Sequence, residues 1–117
     1  MKNDSTKWPI AAARAAAAKT DGKTVILDVG DVLSITGWFV ITSGSNSRQV
    51  KAMAASIEEV VAEQGGPKPL RVEGLDNSKW ILMDYGDMIV HVFDEETRAF
   101  YDLERLWRDV AVINWEE

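Results

Sequence analysis

Hydrophobic positions are densest in residues 79–93, KWILMDYGDMIVHVF. The runs 80–83 and 88–93 are apolar at nearly every position. They flank Asp84-Tyr85-Gly86-Asp87, whose turn chemistry predicts a β-hairpin. Pairing Met83 with Met88 sets Leu82 opposite Ile89, Ile81 opposite Val90 and Trp80 opposite His91, because side chains alternate faces along a strand. Both faces of the hairpin are then largely apolar. A strand pair with one wet face would alternate, so this one is covered on both sides or keeps a face for a partner.

The remaining pattern supplies elements around that hairpin. Ser5 or Thr6 caps a first helix that tolerates Pro9 in its first turn and runs to about Lys19, where Asp21-Gly22 stops it. Its stripe of Trp8, Ile10, Ala11, Ala15 and Ala18 is thin, which predicts a helix leaning on the domain without forming its centre. Residues 24–28 and 38–42 are short buried-strand runs joined by 29–37. The period then changes: Val50, Met53, Ala54, Ile57, Val60 and Val61 recur at three- and four-residue steps. Asn46 and Gln49 suit a capping box for this second helix, and Gly65-Gly66-Pro67 ends it. Residues 67–73 form a third strand that Pro67 and Pro69 confine to an edge. After the hairpin come short helical turns capped by Asp94 and Asp102, with Leu103, Leu106 and Trp107 packing inward. The expected architecture is α/β (α+β), a mixed five-stranded sheet with flanking helices. The path from 38–42 through the second helix into 70–72 is a candidate βαβ crossover. A single domain over 1–117 is expected, with its core at about 8–107 and little to fix the tail at 108–117.

Composition narrows the function classes. The 117 residues include no cysteine, which excludes disulfides and thiolate metal sites. No apolar run is long enough to span a membrane, so the cytoplasm is the expected location. The net charge of −6 disfavours direct nucleic-acid binding, which needs clustered Lys and Arg on phosphates, and favours a basic protein partner.

Candidate chemistry is sparse. The turn Ser43-Gly44-Ser45-Asn46-Ser47 with Arg48 opens a helix, where anions are favoured, but lacks P-loop and GxGxxG spacing. A nucleotidyl transferase would need paired carboxylates for magnesium soon after such a turn. The next acids, Glu58 and Glu59, lie more than a dozen positions on. Asp84 and Asp87 astride the hairpin turn are better suited to holding it than to acid–base work. His91 is the single histidine, with no nucleophile or second metal ligand identified. No catalytic residue, metal or cofactor is assigned. Trp80, Tyr85 and Trp38, three of seven Trp and Tyr residues, belong to the types that anchor protein interfaces.

Three segments together resemble a known family. Residues 41–50 (ITSGSNSRQV), 80–93 (WILMDYGDMIVHVF) and 100–107 (FYDLERLW) occur in the order found in the ribosomal silencing factors, the RsfS or Iojap family. The likeness runs from about Trp8 to Trp107. It implies a nucleotidyltransferase-like topology without the catalytic carboxylates, and a non-enzymatic repressor of translation. The implied partner is the large ribosomal subunit through its fourteenth protein, where a bound factor blocks subunit joining under nutrient limitation. The lack of an arginine-rich leader favours the bacterial branch over the organellar one. Thr36-Gly37-Trp38 stands where the family commonly reads Thr-Asp-Tyr, so an acid is missing at 37. The expected partner-binding residues are Trp80, Leu82, Ile89 and His91 on one hairpin face, with Asp84, Tyr85 and Asp87 at its end. The face of Ile81, Met83, Met88 and Val90 is the alternative. Two other readings remain: a residual nucleotide-binding or nucleotidyltransferase-like enzyme using Gly44-Ser45 and Asp84, and a homodimeric scaffold that pairs its open sheet face.

Overall fold

In a computed structural model of the chain, residues 6–116 are described. The elements run α1 (Lys7–Ala17), β1 (Val25–Asp28), β2 (Trp38–Gly44), α2 (Ser47–Glu63), β3 (Arg71–Glu73), β4 (Trp80–Asp84), β5 (Met88–Asp94), α3 (Glu95–Tyr101), α4 (Leu103–Leu106) and β6 (Val112–Ile113). The mixed sheet is ordered β3-β4-β5-β2-β1-β6. Only β2 and β5 pair in parallel; the other neighbours are antiparallel. By these pairings β3 runs parallel to β2 but is separated from it by β4 and β5, so the crossover through α2 passes over both.

Period two along each strand sorts the apolar residues into two layers. Ile26, Val40, Ile81, Met83, Val90 and Val92 face α1 and α2 and are fully buried with Val50, Met53, Ile57 and Val61 of α2. Leu27, Phe39, Ile41 and Phe93 face the other way, beneath Leu103, Trp107 and Val110. The helix-side layer is the main core. Helix α2 follows its pattern closely: Asn46 Oδ1 accepts from Gln49 N at 2.9 Å. At the other end Gly65 N–H donates to Ala62 O and Gly66 N–H to Val61 O, a Schellman closure with Gly65 at φ +87°.

Several expectations are corrected. The sheet has six strands, because the tail is held: β6 pairs with β1, and Trp115 Nε1 donates to Thr24 O at 2.8 Å. A two-residue strand carries almost no local signal, and only the free edge of β1 gives it a partner. Helix α1 is not peripheral. Ala12, Ala13 and Ala16 are fully buried, since methyl side chains let its backbone approach α2 and the sheet closely, while Ala18 is exposed. Thr6 stands at its N-cap without a side-chain cap bond, and Ser5 lies outside the described residues. Asp94 caps α3 through Thr97 N at 2.8 Å, whereas Asp102 is a left-handed hinge at φ 48° with no side-chain cap. Leu106 points outward although Leu103 and Trp107 pack on the sheet.

The hairpin register is displaced by two residues. Trp80 pairs with Phe93, Ile81 with Val92, Leu82 with His91, Met83 with Val90 and Asp84 with Ile89. Gly86 adopts φ +89°, Asp84 Oδ1 accepts its N–H at 2.9 Å, and Tyr85 N–H donates to Met88 O. The turn therefore closes on Gly86 and Asp87 alone, two residues shorter than the four read from the sequence. A shift of two conserves faces, so only the cross-strand partners change.

Candidate functional site: the helix-free face of the hairpin

Helices α1 and α2 close one face of the hairpin and leave the other partly open. Ile81, Met83, Met88 and Val90 lie under the helices. In the free protein they are interior, so the alternative face is not a surface. Trp80, Leu82 and Ile89 on the opposite side are half-buried, beside the buried His91.

A chain of rings crosses this open side. Trp107 meets Phe39 edge-on at 5.5 Å, Phe39 meets His91 at 4.7 Å, and Trp80 lies tilted between Phe93 at 4.8 Å and Tyr101 at 4.7 Å. Such pairs add about 0.5–1.5 kcal/mol each beyond area burial. Phe100 continues the chain, edge-on to Tyr101 at 5.0 Å. Trp80 and His91 meet as the hairpin pattern implied, though diagonally: Trp80 Nε1 donates to His91 Nδ1 at 3.2 Å. That bond puts the imidazole proton on Nε2, which is buried with no partner among the described residues.

Burial holds His91 neutral, with its pKa lowered from 6.5 to about 4. The unfolded chain therefore binds the extra proton first as pH falls. His91 contributes its full stability above about pH 6.5 and loses it progressively toward pH 4, by roughly 3 kcal/mol in all. Denaturant midpoints between pH 6.5 and 5, above the titration of most carboxylates, should fall in the wild type and stay flatter in His91→Phe. Parallel slopes for the two proteins would refute this assignment.

The turn residues separate from the face. Tyr85, at an odd position like Ile81 and Met83, points to the helix side and is only 8% exposed. Burial, and secondarily the Glu58 carboxylate, push its hydroxyl up to about 12. As the free protein stands, Tyr85 is a core residue and is not displayed with Trp80. Asp84 holds the turn through Gly86 N and lies 3.5 Å from Arg71 Nε. Asp87 is exposed, and its carbonyl accepts from Gly37 N and Trp38 N, tying the turn to the start of β2. The absence of a side chain at 37 suits this contact, since a Cβ there would stand 3.3 Å from Asp87 O. Trp38 is half-buried on the helix side.

The Gly44-Ser45 turn is occupied by capping. Gln49 Oε1 accepts from Ser45 N and Ser45 Oγ, and Gln49 Nε2 donates to Lys19 O at 2.8 Å. Thus Gln49 reaches back to Ser45 where a standard capping box would engage the N-cap amide. A Cβ at Gly44 would lie 3.0 Å from Gln49 Oε1, so glycine here lets the helix start press against the strand end. The turn and Asp84 belong to different local networks.

The sequence reading missed the ledge formed by α3 and α4. Neither short helix has a fully buried residue, yet Phe100 is 79%, Leu106 72% and Tyr101 51% exposed. The F-Y-x-L-x-x-L-W spacing holds the signal, but unbroken helical periodicity would turn Leu106 inward. The turn at Asp102 breaks that periodicity.

Comparison with known proteins places this arrangement. The family described as "Ribosomal silencing factor during starvation" matches residues 2–117. The ribosomal silencing factor RsfS of Halalkalibacterium halodurans is 37% identical over 94 residues, 80% of each chain. That of Bacillus subtilis is 36% identical over 101 residues, covering 83% of this chain and 85% of its own. A mouse protein named for mitochondrial assembly of the large ribosomal subunit is 32% identical over 70% of this chain and 37% of its own. Among solved structures, a Chromobacterium violaceum protein superposes with TM-score 0.75 at 31% identity, covering 91% of this chain and 85% of that one. One from Bacillus halodurans gives 0.73 at 34%, covering 88% and 92%. With the family matched from end to end and the same fold in its solved relatives, the chain belongs to the ribosomal silencing factor (RsfS) family.

Proposed function

We propose that this protein docks on the large ribosomal subunit through its fourteenth protein and, by occupying that surface, keeps the small subunit from joining, which represses translation when nutrients run short. It acts in the cytoplasm and catalyses no reaction. Family membership supports a ribosome-associated regulatory role. The observation that carries the reading is the helix-free hairpin face, where Trp80, Leu82 and Ile89 stay half-open over His91 while the opposite face is sealed. An acidic chain of net charge −6 complements a basic ribosomal protein and is repelled by bare phosphate. Asp84 and Asp87 serve at the rim as turn-holding groups.

The test is sedimentation of the protein with purified large and small subunits separately, followed by light scattering as the subunits are mixed. Retention by large subunits alone, with a dose-dependent loss of joining, is expected. Equal retention by both subunits, or undisturbed joining at saturation, would exclude the mechanism. The open apolar face also favours a second reading, self-association of the free protein, for which light scattering across a dilution series should show a concentration-dependent mass.

A further inference from the structure

Arg98 makes the densest set of side-chain hydrogen bonds among the described residues. Its Nη1 donates to Lys23 O and, at 2.9 Å, to Ser43 Oγ. Nε and Nη2 converge on Glu104 Oε2 at 3.0 and 2.6 Å. The side chain is only 12% exposed. One guanidinium thus ties α3 to the segment before β1, to the end of β2 and to α4 across the Asp102 hinge. Two helices of seven and four residues cannot hold a fixed orientation by propensity alone. Without buried residues of their own, they need such a clamp.

The clamp holds a surface that makes no sense as a solvated one. Phe100, Tyr101 and Leu106 are turned outward around a notch of about 590 Å³ between α3 and α4. The notch is continuous with the sheet face through the tilted Tyr101–Trp80 ring contact. Contiguous exposed apolar groups of this kind mark interaction sites. The segment that carries them is acidic. Between 95 and 109 stand Glu95, Glu96, Asp102, Glu104 and Asp109 against Arg98, Arg105 and Arg108, five to three, and with Arg98 and Glu104 paired to each other four acids face two bases, although the notch itself is lined evenly by Asp102, Asp109, Arg105 and Arg108. That balance suits an apolar projection from a basic protein and disfavours a phosphate backbone.

We propose that the ledge of Phe100, Tyr101 and Leu106 is the second half of the docking surface, receiving an apolar side chain of the basic ribosomal protein, and that Arg98 is the positioning residue that sets it against Trp80. This deepens the function proposed above and rests on it. Removing the exposed side chains leaves the core intact, so Phe100→Ala/Leu106→Ala should keep its thermal midpoint and bind purified large subunits at least tenfold more weakly. Arg98→Lys keeps the charge but cannot make the same converging bonds. It should weaken binding severalfold with the sheet intact by circular dichroism, and adding Phe100→Ala to it should weaken binding less than twofold further, because the ledge is already displaced. Wild-type binding by the double variant would overturn the ledge. Effects of Arg98→Lys and Phe100→Ala that simply multiply would overturn the positioning role. Trp80→Ala, run in parallel, separates the two levels. If it too binds as wild type, the docking face itself has failed; if it alone weakens binding, only the ledge has.

Discussion

Trp80→Ala should lower affinity for the large subunit by at least about 30-fold, equivalent to roughly 2 kcal/mol or more, the loss typical of a central aromatic anchor. Among the described residues Trp80 is the ring that joins the sheet face to the ledge, packing at a tilt on Phe93 and Tyr101 while donating to His91 Nδ1. Its removal leaves that nitrogen with no donor and opens a gap beside Phe93. Some loss of stability, about 1–3 kcal/mol, is therefore expected together with the loss of binding. Trp80→Phe distinguishes the two contributions. It keeps most of the ring packing and discards the N–H, so it should retain most of the stability and a larger share of the affinity. Binding is read by co-sedimentation at several protein concentrations, with urea unfolding as the check on folding. A folded Trp80→Ala protein retained like wild type would remove the hairpin from the interface.

Gly74→Ala should be the most destabilising single-methyl addition among the described glycines, at about 3 kcal/mol or more. Gly74 lies just beyond β3 at φ +91°, and a Cβ there would stand 2.0 Å from Trp80 O and 3.0 Å from Trp80 C. Those are backbone atoms at the start of β4, so no side chain can swing aside. The loop must pull away from β4, loosening the Glu73–Leu82 end of the β3–β4 ladder and the carbonyl of the residue that anchors the face. Gly65→Ala supplies the contrast. At φ +87° it carries the same left-handed strain, but its Cβ would meet nothing within 4 Å, so a loss nearer 1 kcal/mol is expected. Equal midpoints for the two variants in urea would show that the contact with Trp80 O relaxes freely.

The hairpin shows where reading the chain succeeds and stops. Period two assigned Trp80–Met83 and Met88–His91 to their observed faces, because the alternation is a property of the strand itself. The partners were wrong by two positions, because pairing depends on how tightly Gly86 and the Asp84 carboxylate close the turn. Tyr85 illustrates the same limit. Its type suggested an anchor, but at an odd position it turns under the helices. Helix α2, with cap, stripe and glycine stop all local, was legible throughout, whereas the deep burial of α1 was not. Alanines give a faint hydrophobic signal, and their value lies in how near they let other elements come.

By itself, then, the sequence determined what is local or carried by motif: a mixed α/β architecture, the second helix, a two-faced apolar hairpin and membership of a ribosome-silencing family. Only the tertiary structure decided which hairpin face stays open, that the tail adds a sixth strand through Trp115 and Thr24, and that Arg98 draws two short helices into an aromatic ledge beside Trp80. Those outcomes turn on contacts between residues tens of positions apart. Their energies depend on the geometry in which those residues meet, and no periodicity along the chain encodes it.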